Sequence, residues 1–204
     1  MSSGKARALD VSGLPDHAFG SRSELWWGTL GIIAIEATVF VITIGSYFYL
    51  QGTQTEWPPA GTRNPDLLWP TINTALLLLS LVPNQKAKSA AEGLDVRGVR
   101  IWMTVADLFA ALFLVLRVLE YEHLNVSWDS NAYGSLTWTL LGLHTLHLVT
   151  DLFDSVLLTA LMFTQHGHHP KRMEDVSANA FYWYFVVLAW IPIYLVLYWS
   201  PRWL

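Results

Sequence analysis

Residues 25–50 read LWWGTLGIIAIEATVFVITIGSYFYL, an apolar run broken by one charged residue, Glu36. A helix needs about 20 mostly apolar residues to span the hydrocarbon core of a bilayer, and this run is long enough. Trp26 and Trp27 stand near its start, where aromatic belts meet the membrane surface. Glu36 therefore falls near the middle of the span. A carboxylate at that depth costs ~2.5–3.5 kcal/mol on insertion scales, so it is expected to face a partner or a proton route rather than lipid.

The rest of the chain agrees with this reading. Of 204 residues, 53% are hydrophobic and only 14% charged, and the mean hydropathy is +0.35. Further spans are expected at about 67–91, 96–124, 136–163 and 178–199, beside the first at about 24–50. The second is the weakest, because its apolar part ends near Val82 and Pro83 follows. A kinked helix continuing toward Ala91 is expected there. The expected fold class is all-α, an integral membrane bundle of five transmembrane helices spanning residues 23–204, preceded by a polar tail, 1–22, that lacks the apolar core of a cleavable signal peptide.

Charge sets the expected orientation. Lys5, Arg7 and Arg22 precede the first span, Lys86, Lys88, Arg97 and Arg100 lie between the second and third, and Lys171 and Arg172 between the fourth and fifth. Only Arg63 and Arg202 fall on the other side. Basic loops stay cytoplasmic, which puts the N-terminus inside and the C-terminus on the periplasmic side. The formal charge of −4 argues against nucleic acid as a partner. With no cysteine, disulfides, iron–sulfur clusters and thiolate metal sites are excluded.

The fourth span carries His144, His147, Asp151 and Asp154 at spacings of three and four, which places them in one polar stripe about three turns long. That stripe is expected to face other helices or a bound headgroup. A bis-histidine haem needs imidazoles from facing helices, and only this helix supplies histidines at depth. A copper or zinc site needs three or four ligands, and the spacing of His144, His147 and Glu36 does not specify one. A hydrogen-bonded polar network between helices is the simplest reading. His166, His168 and His169 read as a solvated turn. In the third span Arg117 and Glu120 are spaced to pair, with Tyr121 on the same face. Glu120 and Glu122 are expected near the outer interface, and Asp107 deeper.

Four groups of residues then carry a family resemblance. Ile35-Glu36-Ala37-Thr38-Val39-Phe40 and Ser46-Tyr47-Phe48-Tyr49-Leu50 come first. Glu56-Trp57-Pro58-Pro59 and Leu68-Trp69-Pro70-Thr71-Ile72-Asn73-Thr74 follow. Then come Leu119-Glu120-Tyr121-Glu122, Tyr133-Gly134-Ser135 and Gly142-Leu143-His144-Thr145-Leu146-His147-Leu148, and last Trp183-Tyr184-Phe185-Val186-Val187 with Trp190. In this order they resemble subunit III of the haem–copper (cytochrome c) oxidases, in the short five-helix bacterial form. The chain departs from the family pattern at Ile35, Arg117, Asp151, Tyr184 and Val187.

The resemblance implies a non-catalytic accessory subunit of a terminal oxidase in aerobic electron transport, in the bacterial cytoplasmic (inner) membrane. It implies packing on subunits I and II, which hold the haem and copper, while this chain binds neither and contacts membrane phospholipid. Glu36 matches the family's buried carboxylate and His144 and His147 its paired histidines, with support of proton uptake as the implied role. Subunit III-like chains also accompany nitric oxide reductases. From another class, a proton-coupled transporter would use Glu36, Asp107 and Asp151, yet the chain shows no internal repeat or broken paired helices.

Overall fold

Five long helices follow from five apolar segments and from the residues that cap them. In a computed structural model that describes residues 17–203, they are α1 Glu24–Thr53, α2 Leu68–Glu92, α3 Val96–Glu122, α4 Ala132–Met162 and α5 Pro170–Tyr194. α5 runs on through a π-helical turn, Leu195–Trp199, into a last turn, Ser200–Trp203. No strand occurs among the described residues. Most of the expected tail, residues 1–16, lies outside them.

The caps explain where the boundaries differ from those expected. Asn131 accepts from the Gly134 N–H at 2.8 Å, so α4 begins at Ala132, four residues before the apolar run. His169 caps α5 with Pro170 in its first turn, so the polar residues 171–175 are already helical and the last helix starts eight residues earlier than the expected 178. α3 stops at Glu122, and Asn125 soon follows in the left-handed region at φ 57°. α2 continues through Pro83 to Glu92 without a break.

Among the described residues, four stretches are long and apolar enough to cross a membrane: α1, α3, α4 and Pro170–Trp203. α2 has the length but is more polar. It packs chiefly against α3 and α5, whereas α1 lies at the edge of the bundle on α4 and α5. Only Phe40 and Tyr47 of α1 are fully buried. The main core gathers Phe113, Leu140, Leu148, Trp183, Trp190 and Tyr198 between α2, α3, α4 and α5. The loop after α1 closes onto it. The Trp57–Pro58 peptide is cis, and the Trp57 ring packs edge-on against Tyr47 and Tyr133 at centroid distances of 5.3 and 5.4 Å.

Candidate functional site

The deepest polar group is built on Glu120 and Arg117, one turn apart on α3. Their ion pair measures 2.9 Å, and each side chain is at most 1% exposed. Glu120, expected near the outer interface, is buried within the bundle in the last turn of α3. The reason is its partners. Asn73 Nδ2 of α2 donates to Glu120 Oε2 at 2.6 Å, and Tyr198 Oη donates to Oε1 at 2.5 Å. Both residues are 0% exposed. A buried charge is tolerated when it is both paired and hydrogen-bonded.

Arg117 is held on its other sides by aromatic rings. Its guanidinium carbon lies 4.2 Å from the Trp190 ring centroid and 4.6 Å from that of Phe113. Arg117 Nη2 also approaches His144 Nδ1 at 3.2 Å, while His144 Nε2 meets the Val186 carbonyl at 3.1 Å. A guanidinium only donates and a carbonyl only accepts. One neutral tautomer satisfies both contacts: Nδ1 accepts and Nε2–H donates. His144 is therefore a spacer locked between α3 and α5, 0% exposed, with its ring 4.9 Å from Trp190. Trp190 Nε1 donates to Thr74 Oγ1 at 2.8 Å, and Trp183 Nε1 to Ser80 Oγ at 2.9 Å. Tyr121 pairs with Thr145 at 3.2 Å.

The second polar group surrounds Glu36. Tyr182 Oη of α5 donates to Glu36 Oε2 at 2.6 Å, and His147 Nε2 of α4 stands 3.5 Å from the same oxygen. His147 Nδ1 contacts the Leu143 carbonyl at 2.6 Å and so must donate to it. Nε2 then carries a lone pair facing the carboxyl group unless a proton lies between them. A proton on either atom turns that contact from repulsive to attractive. Glu36 is half-buried and borders a groove of about 520 Å³ between α1, α4 and α5, with Asp151, Asp154 and Asp175 along it.

The expected polar stripe on α4 divides among neighbours. His144 faces α3 and α5, His147 faces α1, and Asp151 is buried and accepts from Asn179 Nδ2 at 3.3 Å. Asp154 is exposed. Asp107, whose partner the sequence left open, accepts from Ser155 at 2.5 Å and Thr159 at 2.6 Å, both on α4. Sequence reasoning missed Tyr182, Tyr198, Ser155 and Thr159. The two hydroxyls sit four apart on α4, and that spacing was a usable signal. The tyrosines sat within apolar runs and gave none. No group of three or more histidine or acidic side chains gathers as a metal site among the described residues.

Comparison with known proteins places this arrangement. The family model described as "Cytochrome c oxidase subunit III" matches residues 9–202. The chain is 32% identical over 188 residues to "Probable cytochrome c oxidase subunit 3" of Nocardia farcinica, a match covering 89% of this chain and 91% of that one. It is 29% identical over 186 residues to "Cytochrome c oxidase subunit 3" of Thermostichus vulcanus, covering 90% of each. The protein of that name from Gallus gallus is 30% identical over 193 residues, covering 90% of this chain and 72% of its own length. With nearly its whole length matched, helices and loops alike, the chain belongs to the cytochrome c oxidase subunit III family.

Proposed function

We propose that this accessory subunit of a haem–copper oxidase supports proton uptake by holding one proton between Glu36 and His147 at the membrane groove, while the Arg117–Glu120 network keeps its helices in register. The observation that carries the reading is the contact of His147 Nε2 with Glu36 Oε2 at 3.5 Å, with Nδ1 already committed to Leu143. Tyr182 fixes the carboxyl group by donating to the same oxygen. A proton held there lies beside an open acidic groove rather than inside the core.

In this reading all five helices cross the bacterial cytoplasmic membrane, α2 included, with the N-terminus cytoplasmic. The haem and copper belong to the partner subunits I and II. The outer face of α1 meets subunit I, because Gly28, Gly31 and Gly45 leave open space around their backbone and small residues permit close helix approach. Phospholipid covers the remaining apolar surface, including Ile35, Leu108 and Phe153.

Glu36→Gln in the whole assembly tests the role of the pair. The amide keeps an acceptor for Tyr182 but removes the titratable carboxyl group. Proton uptake is expected to slow, and activity to decline faster over repeated turnovers, with the subunit still assembled. Turnover, proton pumping and durability all equal to wild type would leave Glu36 a packing residue only.

A further inference from the structure

A second polar space, apart from the Glu36 pair, lies between α2, α3, α4 and α5. It is a cavity of about 20 Å³ whose polar lining is Asn84, Asp107, Asp151, Ser155 and Asn179. By this measure one water needs roughly 10–15 Å³, so the cavity admits a single water-sized guest. Around it the acceptors outnumber the donors. Ser155 already gives its hydroxyl proton to Asp107, and Asn179 gives an amide proton to Asp151. Asn84 Nδ2 is spent on the Ala180 carbonyl at 3.0 Å, which fixes its amide orientation and leaves Oδ1 as the free end. Asn84 and Asp151 are each 5% exposed, and among the described residues neither Asn84 Oδ1 nor Asp151 Oδ2 receives a donor.

Charge makes the same demand. Neither Asp107 nor Asp151 has an ion-pair partner among the described residues. Two carboxylates bordering one small buried cavity are costly without a compensating positive charge. The titratable groups that line these two spaces with Asp151 are acidic or phenolic: Asp107 from α3, Asp154 on its own helix, Glu36 from α1, which contacts His147, and Tyr182 and Asp175 from α5, the last paired with Arg172 at 2.7 Å. From α2 come Asn84 and Ala87, which do not titrate.

We propose that this cavity is a binding site for one water and one proton, shared by Asp107, Asp151 and Asn84, with Asp151 and Asn179 forming the wall between it and the acidic groove. Asp151 and Asn179 border both spaces, so Asp151 is the carboxyl group common to the groove and the cavity. With the proton on Asp151 Oδ2, that atom donates to the water, and the water donates to Asn84 Oδ1. The proton reduces the two carboxylates to a single negative charge, which the Ser155 and Thr159 hydroxyls stabilise on Asp107. The site does not rest on the Glu36 reading.

The purified whole assembly tests it in two measurements. A high-resolution density map of the wild-type assembly in sodium-free buffer should show one peak within hydrogen-bonding distance of Asp151 and Asn84. An empty cavity overturns the site. Infrared spectra in the Glu36→Gln background should show a protonated-carboxyl band that shifts in deuterated water, is lost completely in Asp151→Asn and persists in Asp154→Asn. A band that survives Asp151→Asn, or no band in its Asp151 parent, overturns the shared proton. So does an assembly whose thermal midpoint rises with sodium but not with choline, since the guest is then a metal cation. If Asp151→Asn fails to assemble, the map and the deuterium shift of the parent still decide.

Discussion

Glu120→Ala is expected to destabilise the chain by about 3–5 kcal/mol, the usual loss when one partner of a buried ion pair is removed. The substitution leaves the Arg117 guanidinium charged in a site 1% exposed, and it strips Asn73 and Tyr198 of their shared acceptor. Thermal unfolding of the assembly in mild detergent should show this subunit released at a lower temperature, or missing from the purified particle. Adding Arg117→Met should recover part of the loss, because removing both charges of a buried pair avoids the uncompensated one. A coupling of about 0.5–3 kcal/mol between the two sites is expected from the double-mutant cycle. Additive losses would mean that Glu120 acts through Asn73 and Tyr198 alone.

Trp190→Ala carries the second large effect. Removing a buried tryptophan costs about 3–5 kcal/mol through lost burial and the cavity left behind. Here the ring also covers the Arg117 guanidinium at 4.2 Å and lies 4.9 Å from the His144 ring, so its loss exposes both polar groups to an empty space. Trp190→Phe keeps an aromatic face and gives up the hydrogen bond to Thr74, a change worth about 1 kcal/mol. Unfolding midpoints of the two variants should therefore differ several-fold in their shift. Equal shifts would place the importance of Trp190 in the Thr74 bond.

The sequence carried the helices well and their partners poorly. Apolar runs mark α1, α3 and α4 because lipid rewards long uninterrupted hydrophobic segments. The same criterion misplaced the start of the last helix, since its first turns, from Pro170 through Asp175, are polar yet capped by His169. Local spacing gave the Arg117–Glu120 pair, which lies within one helix. It did not give Asn73 or Tyr198, which approach from α2 and from the π-helical turn after α5. For that reason the burial of Glu120 was not legible in the sequence. Glu36 lies within α1, but an apolar helix alone does not reveal which neighbours supply His147 and Tyr182.

The proposed division of roles has a physical basis. The Arg117–Glu120 group is packed among Trp190, Phe113 and Tyr198, each side chain at most 1% exposed, which suits a fixed structural pair. The Glu36–His147 contact is half-buried and borders open space, which suits a proton that exchanges.

Isolation of the native particle through a tag on this chain tests the account most directly. A haem–copper polypeptide that reduces oxygen should copurify in mild detergent, with its characteristic haem absorption present in the particle. A particle in which this chain stands alone, or accompanies a nitric-oxide-reducing core instead, would contradict it.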